Sequence, residues 1–270
     1  SYYSDLTMFS SDEYLFYFII FFIFFNALPT FILSQFSASP YGKHHRPGNS
    51  RTLSPPVAWA FMESPTLWLT FLVFLFGKNN TNPLAYLLIS PFLFHYTNRT
   101  IIYPLHLYFG GTGGYSKIST NRFPLNIAVT GFIYNILNTY LQSRWVSHYA
   151  KFEVDQWFWV RFCVGLLVFG VGMVVNVWAD GVLLGLKSQG GGYKIPRGGL
   201  FEYVSSPNYL GEIVEWLGWA LMTWSWAGLA FLVYTCANLV PRAVSTHKWY
   251  LEKFGEDYPK NRKAVFPLLY

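Results

Sequence analysis

Tyr209–Val240 reads YLGEIVEWLGWALMTWSWAGLAFLVYTCANLV, 32 residues whose only charged side chains are Glu212 and Glu215. As one helix it would be about 48 Å long, against a bilayer hydrocarbon core of about 30 Å. A cut near Ser225–Gly228 turns it into two shorter helices. Working outward, the same apolar pattern recurs at Tyr14–Leu33 (with a kink expected at Pro29), Pro55–Phe76, Leu84–Leu107, Phe123–Leu141 and Trp157–Ala179. A spanning helix needs about 20 apolar residues. The fold class expected is therefore all-α, a polytopic membrane protein with a bundle of seven transmembrane helices.

Composition agrees. Of the 270 residues, 53% are apolar, 21% aromatic and 12% charged, where a soluble domain carries about 25% charged residues. The net charge of +6 reads as a topology signal, and no nucleic-acid partner is expected. With the N-terminus on the non-cytosolic side, the cytosolic segments collect fourteen basic residues. These are Lys43, Arg46 and Arg51; Lys117 and Arg122; Lys187, Lys194 and Arg197; and Arg242, Lys248, Lys253, Lys260, Arg262 and Lys263. Only Lys78, Arg144 and Lys151 fall opposite. That bias supports an odd number of spans and a cytosolic C-terminus. Cys163 and Cys236 sit in apolar runs, so neither a disulfide framework nor a metal site is expected. The opening Ser1–Glu13 lacks a basic n-region, so no cleavable signal peptide is expected in it. Asn79-Asn80-Thr81 is formally a glycosylation sequon, but it lies too close to two spans for a glycan to be favoured.

Charged groups inside a span are costly and usually face the bundle interior or a water-filled cavity. Glu63, Arg99, Asp180, Glu212 and Glu215 stand at or near such positions. Asn176 and Asp180 are four residues apart, as are Asn208 and Glu212, so two spans each aim an amide and a carboxylate from one face. Single groups of this kind can be interhelical glue; all of them together point to a polar site in the bundle. His95 and Tyr96 lie one turn from Arg99. Between the paired spans runs Gly190-Gly191-Gly192-Tyr193-Lys194-Ile195-Pro196-Arg197-Gly198-Gly199. Its glycines allow close backbone approach to a ligand, and Lys194 and Arg197 can meet phosphate. No GxGxxG after a strand and no Walker A sequence is present, so neither Rossmann nor P-loop binding is argued.

Several of these runs resemble the steroid 5α-reductase (3-oxo-5α-steroid 4-dehydrogenase) family. They are Trp59–Pro65 (WAFMESP), His95–Pro104 (HYTNRTIIYP), Asn176–Asp180 (NVWAD), Tyr193–Phe201 (YKIPRGGLF), Pro207–Glu212 (PNYLGE), Glu215–Trp219 (EWLGW), and the tail from Arg242-Ala243 through His247–Tyr250 to Asp257–Ala264. The resemblance covers about Ser54 to Tyr270. Ala38–His44 and Met222–Gly228 are most similar to the plant members, which act in brassinosteroid synthesis.

The resemblance implies a single domain over residues 1–270 in the endoplasmic reticulum membrane, expected to be a monomer, its cytosolic loops closing over an NADPH site. Residues 55–107 would be mainly substrate-binding and catalytic, and 156–270 mainly cofactor-binding. By residue match, Glu63 and Tyr96 would donate hydrogen bonds to the 3-oxo group of a 4-en-3-one steroid, campest-4-en-3-one in type, while hydride adds to C5. Glu63 would do so as a neutral acid, the logic of an oxyanion-hole carboxyl. Trp59, Met62 and Arg99 would line the substrate pocket. Asn176, Asp180, Asn208 and Glu212 would line the nicotinamide and ribose; Tyr193, Arg242, His247 and Tyr250 would support the rest of the cofactor; Lys187, Lys194 and Arg197 would meet phosphate. Two departures stand out. Met62 replaces a glutamine frequent in animal members, and Pro104–Gly111 lacks their arginines, leaving His106 or Lys117 as substitutes. An enoyl-CoA or polyprenol-type lipid reductase of the same fold, or a transporter using the intramembrane carboxylates, remain alternatives at this stage.

Overall fold

The protein was analysed as a computed structural model, which describes residues 10–36, 51–109 and 122–268. Lys43, Arg46, Lys117, Gly110, Gly111 and the Ala38–His44 block lie outside the described residues.

Among these residues the chain forms seven helical rods. The first is α1 (Ser11–Phe36), continuous through Pro29. The second is α2 (Pro55–Glu63) followed by α3 (Pro65–Leu75). The third joins α4 (Pro83–Thr97), a π-helical turn Asn98–Ile102 and α5 (Tyr103–Phe109). The fourth is α6 (Leu125–Arg144), ending in a π-helical turn at Trp145–Tyr149. The last three are α7 (Gln156–Ser188), α8 (Pro207–Thr223) and α9 (Trp226–Phe254). By length and composition, four stretches can cross a membrane: 11–36, 55–75, 156–188 and 226–257. At 17 residues, α8 is roughly 25 Å long, short of a full bilayer core.

The helix ends follow local chemistry. Proline occupies the first turn of α2, α3, α4 and α8, where its missing N–H costs nothing. Asn82 and Asp155 cap α4 and α7 through their side chains. The long apolar run breaks at Trp224, which takes a left-handed conformation (φ 45°), and Ser225 then caps α9 by accepting from the Gly228 N–H at 3.0 Å.

Two boundaries differ from the sequence reading. The fifth rod runs on to Ser188, so Lys187 stands on its last turn instead of in a loop. The seventh continues through Pro241 to Phe254, which makes Arg242, His247 and Tyr250 helical. The reason is packing: Leu239, Ala243, Thr246 and Tyr250 extend the buried stripe at helical spacing even where hydropathy falls.

The closest packing in the bundle is between α7 and α8, where glycines face backbone. Gly165 and Gly172 on α7 lie against Gly218 and Gly211 on α8, each pair seven residues apart. A Cβ on Gly211 would sit 2.5 Å from the backbone nitrogen of Asn176; one on Gly172 would run into the backbone of Glu215. Small residues at the seam let the two backbones touch, as in close-packed membrane helices. This brings Asn176 and Asp180 level with Asn208 and Glu212. Around Trp216 an aromatic core gathers Phe92, Tyr96, Phe169 and Phe231, while α1 packs on α9 through Phe16, Ile20, Ala227 and Ala230. Two short strands, β1 (Thr52–Leu53) and β2 (Phe123–Pro124), pair antiparallel. Near the end of the chain, Lys263 exchanges backbone hydrogen bonds with Tyr203 (2.9 Å) and Ser205 (2.8 Å), tying the C-terminal segment to the turn before α8.

Candidate active site

Glu63 is the last residue of α2, and the break after it explains its setting. Pro65 has no N–H to offer the Phe61 carbonyl, which instead accepts from the Ser64 backbone N–H (3.3 Å) and hydroxyl (2.9 Å). The Glu63 carbonyl accepts from the hydroxyls of Thr66 (2.5 Å) and Thr100 (3.3 Å), which joins α2 to the π-helical turn of the third rod. The Glu63 side chain is 8% exposed, and its Oε2 accepts from Asn135 Nδ2 at 3.1 Å.

That turn also delivers Arg99. A π-helical turn shifts the register of the side chains beyond it, and such turns are common at functional sites. The buried Arg99 guanidinium lies over Trp59 (4.5 Å) and Tyr103 (5.0 Å) and donates to Asp180 Oδ2 at 3.2 Å. Asp180 Oδ1 accepts from Asn208 Nδ2 at 3.1 Å, and Asn176 Nδ2 donates to the Asn208 carbonyl at 2.9 Å. A hydrogen-bonded line thus crosses from the third rod through α7 to α8. Glu212 lies within electrostatic reach of Arg99, Asp180 and Glu63, so its side chain belongs to the same interior.

Tyr96 is buried, its ring packed on Phe92 (4.7 Å) and Trp216 (5.7 Å) and within electrostatic reach of Glu63. Its neighbour His95 pairs with Glu215 at 2.7 Å, both side chains nearly inaccessible. Met62 occupies the space left by the absent side chain of Gly131. Glu63, Tyr96, Arg99, Trp59, Met62, Asn176, Asp180, Asn208 and Glu212 are therefore gathered at one part of the bundle.

The remaining expected residues form a second group toward the 190–205 loop. Tyr193 meets Trp249 at 4.8 Å, and Lys194 donates to Gln189 at 2.9 Å. Arg197 faces Glu202 at 3.8 Å. The Arg242 guanidinium lies 5.9 Å from the Tyr209 ring. His247 Nδ1 and the Tyr258 hydroxyl both meet the Ser205 hydroxyl at 2.6 Å, and Tyr250 stacks on Tyr258. Lys187 is exposed on the last turn of α7 and joins neither group. Glu202 organises this region: the Gly198 N–H donates to it at 2.6 Å and Arg262 at 3.3 Å. The Gly198 N–H, then the nearby Arg262, hold the Glu202 carboxyl below its ordinary range. Arg262 is itself buried and also donates to the Pro196 carbonyl at 2.9 Å.

Sequence reasoning missed Asn135, Ser205, Glu202, Tyr258 and Arg262 as site-forming residues. Asn135 carried a signal, an amide in the middle of an apolar span. The glycines spaced by seven carried another. A cavity of about 350 Å³ lies at the other end of the bundle, lined among others by Tyr17, Lys151, Arg161 and Trp224, and contains none of these groups.

Comparison with known proteins identifies the family of the chain. The model of the family 3-oxo-5-alpha-steroid 4-dehydrogenase matches residues 121–270. The Steroid 5-alpha-reductase DET2 of Solanum lycopersicum is 76% identical over 264 residues, covering 97% of this chain and 100% of that relative. The protein of the same name from Arabidopsis thaliana is 53% identical over 262 residues, covering 96% of this chain and 98% of its own. The 3-oxo-5-alpha-steroid 4-dehydrogenase 1 of Bos taurus is 41% identical over 245 residues, 88% of this chain and 91% of its own. The chain belongs to the 3-oxo-5-alpha-steroid 4-dehydrogenase family, the steroid 5α-reductases.

Proposed function

We propose that this chain reduces the C4–C5 double bond of 3-oxo-Δ4 steroids to 5α-steroids with NADPH, acting on a plant sterol of the campest-4-en-3-one type. It would do so as a monomer spanning the endoplasmic reticulum membrane seven times, its N-terminus lumenal and its C-terminus cytosolic. The observation that carries the reading is the convergence of Glu63 and Tyr96 with the Arg99–Asp180–Asn208 line in one buried interior. Family membership supports the reaction class.

The residues fit a nicotinamide dinucleotide by their chemistry. Asn176, Asp180, Asn208 and Glu212 offer the amide and carboxylate groups that suit a carboxamide and ribose hydroxyls. Arg242, Lys194 and Arg197 offer cations for phosphate, and Tyr193, His247 and Tyr250 a polar aromatic wall. Lys187, exposed on the last turn of α7, would be a further phosphate contact. When bound, NADPH would supply the hydride for the new C5–H bond. The C4–C5 π electrons then move to C3–C4 and negative charge gathers on the C3 oxygen. Tyr96 and neutral Glu63 donate hydrogen bonds to that oxygen, and a proton added at C4 restores the ketone. One such donor is worth about 10²–10³ in rate. Trp59, Met62 and Arg99 border the space the steroid would occupy, and the apolar rods let it enter from lipid.

The test is NADPH oxidation by the purified protein in nanodiscs with campest-4-en-3-one, progesterone, an enoyl-CoA and a polyprenal, with product identification. A 5α-reduced steroid supports the reading. Turnover of the CoA or polyprenal substrate alone would replace it. Glu63→Gln and Tyr96→Phe should each lower turnover by about 10²–10³ and leave NADPH affinity nearly intact. Asn208→Ala should mainly weaken NADPH binding. Full turnover in the first two, or unchanged cofactor affinity in the third, removes that residue from its role.

A further inference from the structure

Three consecutive residues of α2 are each met by α6. Phe61 stacks on Phe132 with centroids 4.6 Å apart and planes within 6°. Met62 fills the space beside Gly131. Glu63 is bonded by Asn135, which is 5% exposed. Positions 131, 132 and 135 share one helical face, so α6 is shaped to hold this end of α2.

Asn135 makes two bonds from one nitrogen: to the Met62 carbonyl at 2.8 Å and to Glu63 Oε2 at 3.1 Å. Both partners are oxygens, which fixes the amide. Turned over, it would set its own oxygen against a peptide carbonyl and a carboxyl oxygen. Nδ2 is therefore a donor toward Glu63 whatever that carboxyl is doing. A neutral carboxylic acid has one carbonyl oxygen and one hydroxyl, and the carbonyl oxygen is the stronger acceptor for an N–H donor. With Oε2 taken, the proton belongs on Oε1.

We infer that Asn135 is a positioning residue that fixes the plane of the Glu63 carboxyl and assigns its proton to Oε1, making Glu63 a hydrogen-bond donor through one defined oxygen. The inference rests on the reading of Glu63 as a donor to the steroid 3-oxo group. It adds an amide from the fourth rod to a site otherwise built from the second, third, fifth and sixth. Without Asn135 the carboxyl can rotate, and its two oxygens become equivalent choices for the proton. Donation to the developing charge then carries an ordering cost in every turnover.

The experiment uses the full chain in nanodiscs with Asn135→Leu, which keeps the size and removes the donor, together with Glu63→Ala and the double variant. Infrared spectroscopy identifies the Glu63 acid by a C=O stretch missing from Glu63→Ala. In Asn135→Leu that band should remain and move to higher frequency, because its carbonyl oxygen has lost a hydrogen bond. With a 4-en-3-one steroid, kcat should fall by roughly ten- to a hundredfold, the worth of an oriented hydrogen bond. The steroid KM and NADPH affinity should stay near wild type, while the melting temperature falls modestly because the Met62 carbonyl also loses its donor. In the Glu63→Ala background, Asn135→Leu should change kcat less than twofold, since it acts through a group no longer there. If Asn135→Leu does not fold, Asn135→Ala removes the donor without adding bulk and gives the same comparisons. Independent, multiplying losses in the double variant overturn the proposal and leave Asn135 as interhelical glue. So does the absence of any neutral-acid band from Glu63. If the wild type reduces no 4-en-3-one, the functional reading fails, while the infrared shift still decides whether Asn135 fixes the Glu63 carboxyl.

Discussion

Alanine at Gly211 puts one methyl group into the α7–α8 seam. Its Cβ would stand 2.5 Å from the backbone nitrogen of Asn176 and 2.7 Å from the Gly172 carbonyl oxygen. Non-bonded atoms settle at about 3.5 Å, so the helices must part there by roughly 1 Å. Neither obstacle is the tip of a flexible side chain; both are helix backbone. The bond from Asn176 to the Asn208 carbonyl, now 2.9 Å, would stretch past the roughly 3.5 Å at which a hydrogen bond ceases to count. Overpacking costs about 1–3 kcal/mol, and a buried hydrogen bond lost adds about 1 kcal/mol. Gly211→Ala should therefore lower the melting temperature in detergent. It should also weaken NADPH binding about tenfold or more, because every 1.4 kcal/mol is a factor of about ten. Gly170→Ala is the control. It lies on α7, the other helix of this seam, with nothing within 4 Å of its added Cβ, and alanine there should be neutral or stabilising by up to about 1 kcal/mol through helix propensity. A Gly211→Ala protein that melts and binds NADPH like wild type would refute the claim that backbone contact at this seam sets the site.

Two further outcomes follow from the ion pairs. Arg99→Ala leaves Asp180 buried without its cation, which should destabilise the fold by about 3–5 kcal/mol in detergent unfolding. Adding Asp180→Asn should recover part of that, and no recovery would mean that Arg99 matters for another reason. The Glu202 carboxyl is held below its ordinary range by Gly198 and Arg262. The stability it contributes is complete above the unfolded pKa, about 4.3, and is lost as pH falls through the lower folded value. Hydrogen exchange of residues 196–206 should thus loosen in acid. Glu202→Gln should loosen the same segment at neutral pH and abolish the acid-dependent part; a pH response that survives the substitution would assign it elsewhere.

Much of this was legible in the chain. Apolar run lengths gave all seven rods, and the break in Tyr209–Val240 falls at Trp224–Ser225, beside the expected cut. Nothing in the sequence marks Trp224 as left-handed, since tryptophan has no preference for that conformation; the capping serine after it was the readable part. Hydropathy lost α9 at Val240 because a helix leaving an apolar layer keeps its buried stripe while its other faces turn polar. Charges inside spans identified Glu63, Arg99 and Asp180 because burying them is expensive. It could not pair them, because hydrogen-bond partners depend on register across helices. Glu202 and Arg262 went unread for a different reason: in a basic, polar loop and tail, a buried arginine looks like any surface one.

The bond between Lys263 and the 203–205 turn bears on how the protein is made. Glu63, Tyr96 and Arg99 all belong to helices synthesised before the midpoint of the chain, whereas the loop before α8 cannot close until residues 262–265 have left the ribosome. The part of the site around Glu63, Tyr96 and Arg99 can thus begin to assemble while translation continues, and the part around the 196–206 loop closes only afterward. A nascent chain paused between Phe254 and Arg262 would hold a nearly complete bundle with the loop before α8 still open. Quality control that senses loose loops would have a clear mark by which to tell it from the finished protein.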